Sequence, residues 1–335
     1  MHLVRVQHPS LVASASSVRE VSLIWKKKWR VLLLFIALLG GYFAIRSLYS
    51  VSGNNDLSAE IERVRQLTRS GDTTRLAETL DRSTVRIPAG DFVMGSNSGR
   101  SDERPQRSVY LDAFEIDRFE ISNAQYQRFL QATQRIPPAY WSGIEYPNGQ
   151  ADYPVVGVSW EEAAAYCTWI GKRLPTEAEW EKACRGSDSR LYPWGNTWDS
   201  ARGNVEVSGR SAWPLGWDQA WMLLKSASSD ATGHRLQPIG SYPAGASPYG
   251  VLDMVGNASE WVWDWYNWSD YKDLPAQNPR SLGPPWNHCL RGSPWFDPYG
   301  GTSWTQAMSR CSARNSSHET QDPRVGFRCA ISVIP

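Results

Sequence analysis

Five cysteines, five histidines and one acidic turn carry most of the side chains that could do chemistry in this chain. Cys167, Cys184, Cys289, Cys311 and Cys329 include no C-x-x-C pair, which disfavours a thioredoxin-like redox site and a zinc ribbon alike. In an oxidising compartment two disulfides plus a leftover thiol is the parsimonious count, and spacing alone does not choose the pairing. His2, His8, His234, His288 and His318 show neither H-x-x-x-H nor H-E-x-x-H spacing, which argues against a histidine-bound catalytic metal. His288 directly precedes Cys289. Together they could bind a soft metal or make a reactive thiol, although a surface histidine beside a buried thiol is the commoner arrangement.

From Asp253 to Trp261 the chain reads DMVGNASEW, two carboxylates and an amide around a glycine. Hard oxygen ligands on a turn suit Ca²⁺, which also takes backbone carbonyls. The same run reads equally well as an ordinary turn in which Asp253 and Glu260 accept backbone N–H groups. Just beyond it, Trp261, Trp263, Trp265, Tyr266 and Trp268 either belong to the core or anchor a ligand.

These residues need elements to hold them. Ser122 with Gln125, Ser159 with Glu162 and Thr176 with Glu179 have the spacing of capping boxes and predict three short helices. After Glu181 no period of 2 or 3.6 is sustained, and 18 Trp, 26 Gly and 21 Pro point to many turns held by aromatic packing. A helical bundle is disfavoured. At 335 residues and 41% hydrophobic the chain can bury a full core, and a net charge of +1 leaves no excess to neutralise a nucleic acid backbone.

The amino-terminal part predicts a membrane anchor. Val31 to Ile45 is uncharged and apolar, and Arg46 can snorkel so that Leu48 and Tyr49 extend the run to about the 20 residues a bilayer needs. Lys26, Lys27, Lys28 and Arg30 precede it, so the positive-inside bias leaves residues 1–30 in the cytoplasm, 31–49 as the span and the remainder exported. A cleaved signal peptide ending at Ser50-Val51-Ser52 is the rival, with an unusually long charged region. Within residues 50–83, Leu57, Ile61, Val64 and Leu67 recur at helical spacing, either as a stalk packed on its own domain or as a docking or dimerisation seam.

Several words of the sequence, in order, carry a family resemblance. They are Val85 to Ser96 (VRIPAGDFVMGS), Asp102 to Pro105 (DERP), Leu111 to Asp117 (LDAFEID), Pro154 to Trp160 (PVVGVSW) and Gly171 to Glu181 (GKRLPTEAEWE). Tyr192 to Asn196 (YPWGN), Tyr249 to Asn257 (YGVLDMVGN), Leu290 to Gly292 (LRG) and Gly326 to Cys329 (GFRC) continue it. Over residues 84–335 the chain resembles the formylglycine-generating enzyme, or sulfatase-modifying factor, family. The resemblance implies an irregular α+β fold related to C-type lectin-like domains. It implies disulfides Cys167 with Cys329 and Cys184 with Cys311, leaving Cys289 odd. It also implies calcium on Asp253, the carbonyls of Gly256 and Ala258, and Glu260, with Asn204 and Val205 as half of a second site completed loosely near Asp230.

The departure concerns chemistry. Members of the family carry R-G-G-S-W-x-C and a second Cys, which bind copper and activate O₂; this chain reads Arg291-Gly292-Ser293-Pro294-Trp295-Phe296-Asp297, with Asp297 in the first Cys position and Gln306 near the second. A carboxylate and an amide do not replace two thiolates on a cuprous ion, so copper and classical formylglycine generation are not expected. Two functions remain: a periplasmic module, anchored in a bacterial inner membrane, that binds an envelope protein, glycan or peptide; or an exported oxidative maturation factor of siderophore-maturation type using Arg291, Asp297, His288 or Cys289. The insertion from Ser208 to Leu236, with Trp213, Trp217 and Trp221, could serve the first as an interface or the second as a cover.

Overall fold

A computed structural model describes residues 56–205, 236–268, 270–283, 286–295, 301–317 and 322–333. The expected span at 31–49 and the insertion from Ser208 to Leu236, apart from its last residue, lie outside them; among the described residues no helix is long and apolar enough to cross a membrane.

Residues 56–70 form a helix, α1, followed by α2 (Thr73–Asp81), which Asp72 caps by accepting the Arg75 N–H at 3.0 Å. The helical spacing of Leu57, Ile61 and Val64 is used inside the domain: all three are buried against Leu76 and Leu80 of α2 and against Phe119, Ala124, Ile239 and Leu252. Each such burial is worth about 1.5–3 kcal/mol. Glu60 adds an ion pair to Arg118 at 2.8 Å. Leu57–Pro335 thus forms one compact unit that includes this helix pair.

A three-stranded sheet follows, with order β1 (Thr84–Ile87), β4 (Phe114–Asp117), β9 (Ala330–Ser332), all antiparallel. The hairpin of β2 (Gly90–Met94) and β3 (Arg107–Leu111) stands beside it. Ser122 opens α3 (Asn123–Thr133) and Thr176 opens α5 (Glu177–Arg185) with reciprocal capping boxes, as their spacing predicts. Ser159 opens α4 (Trp160–Trp169) by accepting the Glu162 N–H, but without the return arm; the Glu162 carboxylate pairs with Arg135 at 3.0 Å.

The stretch without periodicity still holds the largest sheet: β7 (Asn315–Ser317), β6 (His288–Arg291), β5 (Ser259–Trp265) and β8 (Val325–Phe327), with β5 and β8 parallel. A last helix, α6 (Thr302–Met308), precedes β7. Alternation is missing from β5 because most of its residues are buried on both faces, Val262 in the core shared with α5 and Trp261 in the core shared with α4. Disulfides Cys167–Cys329 and Cys184–Cys311 tie α4 and α5 to the carboxy-terminal strands, each with Cα atoms 5.6 Å apart.

Candidate functional site

Three of the four candidate residues, His288, Cys289 and Arg291, lie on β6, which presents alternate side chains to two environments. Helix α5 puts Glu177, Glu181 and Arg185 four residues apart on one face, and that face meets β6. Arg291, fully buried, donates Nε to Glu177 at 2.9 Å and Nη2 to Glu181 at 2.8 Å, while its Nη1 donates to the Cys311 carbonyl at 2.8 Å. Arg314 donates Nε to Glu177 Oε1 at 2.6 Å and Nη2 to Oε2 at 2.9 Å, and Arg185 holds Glu181 at 2.7 Å. Burial alone would raise the Glu177 carboxyl, but Arg314 and Arg291 outweigh it and hold it down to about 2.

Cys289 donates its thiol hydrogen to the same Glu177 Oε1 at 2.8 Å. With 0% exposure, burial first and the Glu177 charge second push this thiol well above its ordinary range. A neutral, sealed thiol is neither a nucleophile nor a soft-metal ligand. On the opposite face of the strand, His288 corrects the expectation of a surface histidine: it is 7% exposed, stacked between Trp160 at 3.9 Å and Trp265 at 3.7 Å. Burial lowers its pKa to about 4, and its Nδ1 is buried with no hydrogen-bond partner. Arg291 and Cys289 are thus brought together, whereas His288 is turned away from both. Asp297 lies outside the described residues.

Near the position of the family's second Cys, Gln306 sits on α6, and its carbonyl accepts the Tyr192 hydroxyl at 3.3 Å. This helix is fastened to the loop before β3. Arg100 donates to Met308 Sδ at 2.9 Å and lies over the Trp304 ring, and buried Glu103 takes Arg310 at 2.6 Å and Ser312 at 2.8 Å.

The residues implied for calcium have partners within the protein. Asp253 accepts the Gly240 N–H at 2.7 Å, as a turn carboxylate does, but Glu260 gives both oxygens to Arg328 at 2.7 Å and accepts Trp180 Nε1 at 2.9 Å. Gly256 pairs with Asn204 in a β-bridge, and the Asn204 carbonyl accepts the Asn257 N–H at 3.0 Å. Glu120, which sequence reasoning missed, joins them by accepting the Ala258 N–H at 2.9 Å and Asn257 Nδ2 at 2.6 Å. Burial, then the charges of Asp253 and Glu260, push Glu120 well up, and burial pushes Asp253 up to about 6. Surplus buried carboxylate suits a hard cation; Glu260 is already neutralised by Arg328, so the set fits one only in part. Among the described residues no three His, Cys, Asp or Glu side chains are placed together as metal ligands.

The tryptophan cluster divides. Trp261 is core at 2% exposure and Trp263 and Trp265 are half-buried, whereas Trp268 is 68% exposed. Leu282 at 76% and Trp286 at 79%, neither singled out by the sequence, share its β5–β6 connection. Glu181 and Glu177 stood in the sequence only as letters of a motif, and Arg314 stood in none; the i, i+4, i+8 spacing of Glu177, Glu181 and Arg185 was the available signal.

The sulfatase-modifying factor enzyme 1-like domain profile matches residues 70–333. Formylglycine-generating enzyme from Bos taurus is 31% identical, covering 75% of this chain and 75% of that protein. Inactive C-alpha-formylglycine-generating enzyme 2 from Mus musculus is 29% identical, covering 77% of this chain and 88% of that protein. Among solved structures, PvdO from Pseudomonas aeruginosa has the same fold at a TM-score of 0.57 and 22% identity, over 75% of this chain and 94% of that one.

Proposed function

Because the chain belongs to the sulfatase-modifying factor enzyme 1-like family, we propose that it uses this fold as a binding and assembly module rather than as a formylglycine-generating oxidase. The observation that carries the reading is Cys289: the free cysteine of the chain is fully buried and hydrogen-bonded to Glu177, while Asp297 stands in the first copper position. With Arg291 neutralised by two carboxylates in the core, the described candidates hold the fold together. A family with a relative named inactive leaves room for such a member.

The module is read as single-pass in a bacterial inner membrane, with residues 31–49 as anchor and the domain in the periplasm, engaging an envelope protein, glycan or peptide. Its support is the apolar run after the Lys26 to Arg30 cluster. The exposed Trp268, Leu282 and Trp286 are its contact candidates, since large apolar side chains left in water mark contact surfaces. Calcium is read as a structural ion on Asp253 and Glu120. The alternative, an exported oxidative maturation factor, rests on Asp297 and on fold likeness alone.

Two measurements test this. Incubated with copper, O₂ and a Cys-x-Pro-x-Arg peptide, the protein is expected to form no aldehyde; aldehyde formation would refute the reading. Purified full length in mild detergent, it is expected to bring down a stoichiometric, unmodified envelope partner, lost in a Trp268→Ala/Trp286→Ala double variant. A partner carrying an oxidised residue would favour the maturation factor.

A further inference from the structure

The chain contains a single Asn-Gly step, Asn148-Gly149. Both residues are exposed at the centre of a turn closed by the Gln150 N–H on the Pro147 carbonyl at 3.1 Å. That bond leaves the Gly149 amide outside it. Gly149 has φ +79°, and a Cβ built on it would meet nothing within 4 Å, so the space beside its Cα is open. Five other described asparagines differ. Asn257 and Asn123 are buried and hydrogen-bonded, Asn278 donates to Asp112 at 2.7 Å, and Asn97 and Asn196 each accept a backbone N–H.

The chain just beyond this turn holds the start of α3. The Asn123 N–H donates to the Tyr153 carbonyl and the Ala124 N–H to the Ala151 carbonyl, both at 2.9 Å, while Asn123 Nδ2 donates to the Gln150 carbonyl at 2.9 Å. Anything that lengthens the backbone at residue 148 is felt by these three bonds.

We propose that Asn148-Gly149 is a site of spontaneous covalent modification, in which asparagine becomes isoaspartate and loosens the start of α3. The Gly149 backbone nitrogen attacks Asn148 Cγ; a new C–N bond forms, the Cγ–amide bond breaks, and ammonia leaves with the proton given up by the attacking amide. Water then opens the succinimide at either carbonyl. Opening at the α-carbonyl routes the main chain through the side chain, inserting a methylene and leaving a free carboxylate. No oxidant or reductant is needed. Glycine permits the attack because it lacks a side chain to block the nitrogen. The new charge falls in a loop that already holds exposed Glu145 and the buried Asp152, whose carboxyl burial raises.

Full-length protein aged in mildly alkaline buffer and mapped by mass spectrometry tests this. Asn148 is expected to show the mass gain of amide-to-acid conversion before any other asparagine of the chain, and to become a substrate for isoaspartate methylation. The aged protein is expected to exchange the Asn123 and Ala124 amides faster, whereas Asn148→Gln neither converts nor changes exchange. Freshly purified Asn148→Asp, with the charge but no extra methylene, is expected to keep the slow exchange. Survival of Asn148 in the folded protein while a denatured control converts would overturn the site. Unchanged exchange in the converted protein would overturn the effect on α3.

Discussion

Glu177 has the most consequential side chain described, because it takes two guanidinium groups and a thiol. Replacing it by Gln would leave Arg291 and Arg314 short of charge in the core, so Glu177→Gln is expected to lose about 3–5 kcal/mol in urea unfolding. The pH dependence follows in sign. Glu177 is held at about 2 against an ordinary 4.5, so its stabilisation is full above 4.5 and lost as pH falls towards 2. His288, lowered to about 4 from 6.5, acts in the same direction, since the unfolded chain takes up its proton first. Asp264 opposes them. Burial first, and Glu177 second, push it up to about 7 from 3.8, so its contribution is lost as pH rises through that window. Asp264→Asn is therefore expected to remove a fall in stability as pH rises from 3.8 to about 7, measured as Tm against pH. Cys289→Ser should leave partner binding intact, and in the native wild type the thiol should resist alkylation until urea is added.

At the scale of elements, caps were legible and strands were not. Thr176 and Ser122 announce their helices because a cap is a local bond three residues long, and Thr176→Ala is expected to cost about 1 kcal/mol. Strand β5 gives no such signal: Ser259 to Val262 are all buried, so the alternation that reveals a strand is erased by packing on both faces. The same packing separates its tryptophans. Trp261→Ala should cost about 3–5 kcal/mol, whereas Trp268→Ala and Trp286→Ala should stay within about 0.5 kcal/mol, all read by thermal or urea unfolding. A chain beginning at residue 71 would lack α1 and uncover Phe119, Ile239 and Leu252, so it is expected to melt lower than one beginning at residue 56.

For the whole molecule, the family was legible from words such as GKRLPTEAEWE, and the disulfide pairing came with it. What the words did not reveal was occupancy. Glu260 and Arg291 stand in motifs, yet only the fold shows that one is taken by Arg328 and the other by Glu177 and Glu181. If calcium binds at Asp253 and Glu120, added Ca²⁺ should raise Tm, and Asp253→Ala should abolish the rise; no rise in the wild type would leave Arg328 as the cluster's sole cation.

The two disulfides are nested, the bridge with a sequence separation of 127 lying inside the one with a separation of 162. A protease that cuts once anywhere between Cys184 and Cys311 therefore releases nothing. The halves migrate as a single band until a reductant is added, so intactness judged on a non-reducing gel would count clipped molecules as whole.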